Sequence, residues 1–389
     1  MLELLRGRGR VVFKSRDALI YIFNIFTYAG TNPPEHKTHL YTLYATTANF
    51  ICILFCPFSF HMGYISSLDE LNKNELLSAI QNAVQVTGIS IKVIVIIGYM
   101  KRLKKALAIL DELDQNYTHT EDLMKIRKCV QTCCKIVAIF CIPYYGFEIS
   151  TISLGVFQHR NPLSIWLPYF NIERTEWEYW CVVVWDIVIM FILLLHQLSI
   201  DTYPPVYISI MRTHMQLLVA RVARLGKNRE MSEDENYAEL LACIQTHRQI
   251  KYIANLVAPA ISITLLVQFG TSATTMLNWF GAVEFPENII AFAFFCCQLI
   301  QILPCSYMAS NLIADCDQLP YAIFHSNWID RDRRYRKTIL FFIQRAQIPL
   351  RFSCLKLFYV NLATGISIGK FAFSIYTLLQ KTGVNSKPQ

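Results

Sequence analysis

Charged side chains are scarce in this chain. Asp, Glu, Lys and Arg make up 16% of its 389 residues against 54% hydrophobic, whereas soluble domains carry about 25% charged residues. That shortage excludes a water-soluble globular protein and makes the chain an integral membrane protein. Motifs for chemistry are missing too. There is no Walker loop, no H-E-x-x-H and no paired C-x-x-C. Gly7-Arg8-Gly9-Arg10 lacks the preceding strand and the third glycine of a dinucleotide fingerprint. The nine histidines are scattered, and no two of them stand at i, i+4. The chain therefore reads as a non-enzyme with no metal site and no cofactor.

Cysteines outside apolar segments are few. Cys52, Cys56, Cys133, Cys134, Cys141, Cys296, Cys297 and Cys354 lie inside them, where they act as small buried hydrophobes, so a stapled ectodomain is not expected. A secretory signal is also lacking. The charged start, Arg6 to Arg16, leads into Ala18–Ala29, a run too short to span a bilayer and without a clear cleavage site. It is expected to lie along the membrane as an interfacial helix.

What is present is a series of apolar segments. Six spans are expected at about 40–62, 77–100, 130–151, 179–200, 253–279 and 288–312, and a seventh within Ser353–Gln380. Pro204-Pro205 should kink the fourth, yet Val206 to Leu225 keeps helical periodicity, as does Tyr237 to Lys251 before the fifth. These extensions, polar outside one stripe, should pack with a short helix at Thr338–Ala346 into a compact body beyond the bilayer. The resulting division is a tail at 1–39, six spans at 40–312, a linker and anchor helix at 313–350, and the seventh helix with a short outer tail at 351–389.

Basic residues fix the orientation. They gather in the N-terminal tail and in the second, fourth and sixth loops, including Lys101–Lys105, Arg221–Arg229 and Arg331–Lys337. The first, third and fifth loops offer only Lys73, Arg160 and Arg174, diluted by seven carboxylates. Basic loops stay cytoplasmic, so the N-terminus is cytoplasmic and the C-terminus outside. The net charge of +8 is thus explained by the bilayer and does not call for nucleic acid. The sequon Asn116-Tyr117-Thr118 falls in a cytoplasmic loop and should carry no glycan.

The last segment has two faces at 100° per residue. Lys356, Ala363, Ser367, Lys370, Ser374 and Lys381 fall on one, with Thr377 and Leu378 at its edges. Phe358, Leu362, Gly365, Gly369, Ala372, Tyr376 and Leu379 fall on the other, and Gly365-xxx-Gly369 is the small-residue spacing of close helix packing. A packing face opposite a polar face suits either a water-filled path or a bundle helix whose lysines snorkel. Aromatic residues concentrate toward the outer halves of the spans: Tyr144, Tyr145 and Phe147; Trp180 and Trp185; Phe292, Phe294 and Phe295, with Ala83 and Thr87 at the same level. These residues suit either an apolar pocket or an interfacial aromatic belt. Glu148 and Asp186 lie within spans near their outer ends. His196 and His214 are expected to be hydrogen-bonded structural residues.

Several runs carry a family resemblance. Ala322-Ile323-Phe324-His325-Ser326-Asn327-Trp328, then Arg334 to Leu340, Arg345-Ala346-Gln347-Ile348-Pro349 and Phe373-Ser374-Ile375-Tyr376-Thr377-Leu378-Leu379 together resemble the C-terminal third of an insect odorant receptor. Asp201 to Leu225 and His247 to Asn255 are similar to that family's fourth and fifth helices with their cytoplasmic extensions. The ending Tyr376-Thr377 and Gln380-Lys381 departs from the gustatory branch. The chain also lacks the long second cytoplasmic loop of the shared co-receptor, so it resembles a ligand-tuned subunit.

The resemblance implies an all-α protein of seven transmembrane helices in the dendritic membrane of an olfactory neuron. It implies a heteromeric, odour-gated cation channel, a tetramer with the co-receptor. The volatile ligand would meet Ala83, Thr87, Tyr144, Tyr145, Glu148, Trp185 and Phe295. The last helix would line the pore, with Leu378 at the gate and Ser374 and Lys381 beside it. Lys370 and Lys381 depart from the pattern, because fixed positive charge repels cations. A G-protein-coupled or gustatory-type chemoreceptor is the alternative; the former needs the opposite topology. A transporter should show an inverted repeat, and none is visible.

Overall fold

The computed structural model describes residues 13–34, 38–66, 73–159, 165–167, 170, 174–228, 230–281 and 287–381. Among them lie nine helices and one hairpin: α1 (Ile20–Tyr28), α2 (His39–Ser66), α3 (Lys73–Asp114), α4 (Thr120–Phe157), α5 (Glu176–Val222), α6 (Glu233–Gly281), α7 (Glu287–Phe324), α8 (Arg333–Ala346), β1 (Ser353–Cys354), β2 (Phe358–Tyr359) and α9 (Leu362–Lys381). Six of these, α2 to α7, are long and apolar enough to cross a membrane, and Leu362–Ile375 of α9 is a shorter apolar stretch. This is the expected seven-helix, all-α membrane fold. Arg6, Arg8, Arg10, Lys37, Arg160, Arg229 and the sequence beyond Lys381 lie outside the described residues.

Proline chemistry shapes two spans. In α2 a wide π turn runs over Ile51–Phe55. The Cys52 carbonyl would look five residues on, to Pro57, which has no N–H. The Ser90 hydroxyl of α3 donates to it instead, at 2.7 Å, so the defect becomes a joint between helices. In α5, Pro204 and Pro205 are buried and the helix runs through both, leaving the Ile200 and Asp201 carbonyls without their intrahelical donors. The expected helical continuation past the prolines is thus present, to Val222.

Beyond the apolar spans the extensions pack into a helical body, with two differences from the expectation. The α5 extension is buried almost throughout, from Val206 through Leu218, rather than polar outside a stripe. It is wrapped on several sides: α1 packs on α5 with Phe26 against Tyr203, and α8 joins α6 and α7. Ion pairs close the outside of the body. Arg221 grips Glu239 through two bonds of 2.6 and 2.9 Å, Arg212 meets Asp315 at 2.7 Å, and Arg331 meets Glu233 at 2.7 Å. Helix α7 continues to Phe324, so residues 313–324 are helix rather than linker. Helix α8 starts at Arg333, where the Asp332 side chain accepts from the Tyr335 amide at 2.7 Å.

The seventh span is shorter than the apolar run suggests. Ser353–Tyr359 forms an antiparallel hairpin with Cys354 opposite Phe358. Leu355 and Lys356 turn it in the left-handed region, at φ 46° and 63°. That conformation is unfavourable for branched L-residues, and the Leu355 amide is held by the Ser262 hydroxyl of α6 at 2.7 Å. Lys356 and Phe358 therefore do not belong to the faces of the last helix, which starts at Leu362.

Candidate functional site

A polar seam crosses the centre of the bundle. On α3 the residues Gln81, Gln85, Gly88 and Lys92 follow a four-three-four spacing that puts them on one face, and the three side chains are buried. That face meets α6. Asn278 donates to Gln81 Oε1 at 2.6 Å. A Cβ on Gly88 would stand 2.6 Å from Thr271 Cγ2, so the absence of a side chain at Gly88 makes room for Thr271 of α6. One end of the seam is ionic. Lys92 Nζ donates to Asp201 Oδ1 of α5 at 2.9 Å and to Gln268 Oε1 at 2.5 Å. The Tyr144 hydroxyl of α4 donates to the other Asp201 oxygen at 3.0 Å. Gln268 passes the chain on to Gln301 of α7, and Gln298 donates to Ser272 at 2.5 Å. Five helices thus share one hydrogen-bonded network where unpaired polar groups would be costly.

Outward of this network the expected ligand residues divide into small groups. Ala83 is buried, and Thr87 donates to its carbonyl at 2.8 Å while meeting His61 of α2 at 3.0 Å. Tyr144 is committed to Asp201 and packs edge-on against Phe140. Trp185 stands edge-on to Phe55 of α2, ring centroids 5.9 Å apart. Phe295 stacks on Trp279 of α6 at 5.9 Å, and Phe294 beside it faces Phe147 at 5.1 Å. Tyr145 is half-buried against the core. Among the described residues, the Thr87–Ala83 bond is the one hydrogen bond or ring contact joining two of the seven.

Several buried polar atoms in this half have no hydrogen-bond partner among the described residues: both amide atoms of Gln85, Glu148 Oε2 and Trp185 Nε1. The chain therefore offers aromatic walls from five helices and a few unsatisfied polar atoms, which is equipment for binding. Among the described residues no group of three His, Cys, Asp or Glu side chains could hold a metal. His196 is buried with neither ring nitrogen bonded, contrary to expectation, whereas His214 meets the Ser15 hydroxyl at 3.0 Å.

Helix α9 packs on α6 and α7. A Cβ on Gly365 would stand 3.4 Å from Ile302 and 3.5 Å from Ser306, and one on Gly369 would stand 3.9 Å from Met276 Sδ. Ala372 is buried on the same side. Ala363, Ser367, Lys370, Ser374 and Leu378 are exposed. The Lys381 side chain lies outside the described residues.

Comparison with known proteins decides the family. Residues 72–373 match the family model described as 7tm Odorant receptor. The chain belongs to that family. Among curated Drosophila melanogaster proteins, odorant receptor 42b is 30% identical over 96% of this receptor and 95% of its own length. Odorant receptor 42a is 29% identical over 96% and 93%. The solved olfactory receptor OR5 of Machilis hrabei shares the fold, with a TM-score of 0.81 at 16% identity over 94% of this receptor and 97% of that chain. Its complex with eugenol matches at a TM-score of 0.79 and 15% identity, over 94% and 98%.

The receptor's central pair was missed from sequence although a signal existed. Lys92 is a lone lysine inside the apolar run Val86–Ile97, and an ionisable residue at that depth is a functional candidate by default. Asp201 was hidden by lying one residue past the expected end of its span.

Proposed function

We propose that this receptor is the odorant-tuned subunit of a heteromeric, odour-gated cation channel, assembled with the shared co-receptor in the dendritic plasma membrane of olfactory neurons. The observation that carries the reading is the asymmetry of α9. Its glycine face is packed on α6 and α7, while Ser367, Lys370 and Ser374 are uncovered. Polar side chains uncovered at membrane depth call for water or other subunits. In this reading Leu378 closes the path and Ser374 and Lys381 line it. The co-receptor supplies most of the lining, which keeps Lys370 and Lys381 from dominating it.

The ligand is a small volatile hydrophobic molecule such as the eugenol bound by the Machilis receptor. It binds among Ala83, Thr87, Tyr144, Tyr145, Glu148, Trp185 and Phe295 by burying its own surface, worth about 25 cal/mol per Å² before ordering costs. Tyr145, Glu148 and Trp185 contribute most, because Thr87 and Tyr144 already hold protein partners. Opening requires that the ligand prefer the open state, since equal affinity for both states shifts nothing.

The test is whole-cell current across a broad volatile panel, with the receptor expressed alone and with the co-receptor while G-protein signalling is blocked. A fast cation current confined to paired cells is expected. A response abolished by the block would overturn the channel reading. Within paired cells, Tyr145→Ala should change tuning and leave co-receptor currents intact; unchanged tuning would remove Tyr145 from the pocket.

A further inference from the structure

A groove of about 980 Å³ opens between the cytoplasmic ends of α3 and α6 and the flank of α8. Its rim carries Lys105, Arg248, Lys251 and Arg345, and one carboxylate, Glu112, which accepts from Gln249 at 3.3 Å. Among the described residues none of the four cations is paired with an acid; Lys105 only stands over the Tyr252 ring at 5.3 Å. His247, in the same wall, is held neutral at physiological pH, its pKa pushed down to about 4 by burial and by the Lys251 charge. Four cations against one carboxylate leave the groove at +3. Its floor is apolar, formed by Ile109 and Phe342.

The groove's depth in the membrane identifies what would fill it. Lys251 and Tyr252 directly precede the apolar run of α6, and Lys105 lies five residues past Met100, about 7 Å along the helix axis. The headgroup layer adds roughly 5–7 Å to each side of the hydrocarbon core. The cations therefore stand at headgroup level, on the side that the basic loops make cytoplasmic. We propose that this groove binds the polyphosphorylated headgroup of an anionic lipid of the cytoplasmic leaflet, with Arg248 and Arg345 gripping phosphate and the acyl chains remaining in the bilayer. Guanidinium groups suit that role because they bind phosphate oxygens bidentately. A compact, multiply charged headgroup matches a +3 cleft better than a singly charged lipid does. The proposal is independent of the odorant site and of channel activity.

The test uses the full-length receptor in phosphatidylcholine nanodiscs and a short-chain phosphatidylinositol bisphosphate as probe, with binding read by microscale thermophoresis. Saturable binding is expected. Arg248→Gln and Arg345→Gln should each weaken it about tenfold, the scale of one charge-assisted contact. Lys101→Gln and Lys104→Gln, exposed cations outside the groove, should leave it unchanged. Soluble inositol trisphosphate should compete at least about tenfold more weakly than the lipid, since it lacks the chains. Competition at equal strength would make the groove a soluble-anion site and overturn the lipid assignment. Equal losses in the groove and control variants would reduce the effect to general surface charge and also overturn it. As a second readout, a photoreactive phosphoinositide should label peptides from α3, α6 or α8. Labelling confined to other helices, or no saturable binding to the unmodified receptor, would reject the site.

Discussion

Lys92 and Asp201, 109 positions apart in the chain, meet at 2.9 Å with their side chains 1% and 3% exposed. The contact pins α3 to α5 at the level where α5 passes through its two prolines. Removing one partner leaves the other charge buried alone, at a cost of about 3–5 kcal/mol. Lys92→Met and Asp201→Asn should each sharply reduce surface delivery and the detergent melting temperature. The double variant should recover a substantial part of both. A double variant no better than the worse single would show that the two residues act separately.

The tight seat of Thr271 against Gly88 supports a second comparison. Gly365, in the recognisable small-residue spacing, has room for a Cβ at ordinary contact distance, whereas Gly88 would drive one to 2.6 Å from Thr271. Thr271 lies three residues from Gln268 and bonds its carbonyl, so displacing it disturbs the partner of Lys92. Gly88→Ala should therefore lower the melting temperature more than Gly365→Ala, which should be close to neutral. Equal effects would mean that α3 and α6 can separate freely.

Two histidines give the cytoplasmic body a pH dependence. Burial pushes His214 down to about 4, even with Asp114 3.7 Å away; His247 reaches about 4 as well, through burial and the Lys251 charge. Their folded values lie below the unfolded value of 6.5, so the unfolded state takes up protons first as pH falls. Stability is complete above about 6.5 and declines toward pH 4, by about 1.4 kcal/mol per unit for each histidine. Thermal melts of the purified receptor should show this decline, and His247→Gln should flatten it. A profile unchanged by that substitution would reassign the dependence.

The sequon supplies a test of orientation. Tyr117, its middle residue, is buried beside His214, ring centroids 5.8 Å apart, in the cytoplasmic body. No mobility shift on treatment with peptide N-glycosidase is expected. A shift abolished by Asn116→Gln would place this face outside the cell.

The spans and their cytoplasmic extensions were legible because helical periodicity persists in Val206–Leu225 and Tyr237–Lys251 after the apolar runs end. The hairpin was not, because Ser353–Val360 is as apolar as a membrane helix and its turn uses Leu355 and Lys356, without a glycine to mark it. Burial of the α5 extension depends on α1, α4, α6 and α7, whose packing against it is long-range. The seam on α3 lies in the spacing of Gln81, Gln85 and Lys92, three polar side chains on one face of a span that is otherwise mostly apolar. The ring partners Phe55 and Trp279 come from helices distant in sequence, and no local pattern announces them.

The hairpin also determines how the last helix can move. From Leu362 to Lys381 α9 covers about 30 Å at 1.5 Å per residue, about the thickness of the hydrocarbon core. Its inner end is tethered, the Leu362 amide on Ser310 at 3.0 Å and the Thr364 amide on Asn361 at 2.8 Å. Such a tether suits a lever pivoting near Gly365, where the helix lies against Ile302 and Ser306. Leu378 lies 13 residues further out, about 20 Å along the arm. A swing of about 10° would carry it roughly 3 Å, a displacement comparable to the helix shifts of known switching proteins.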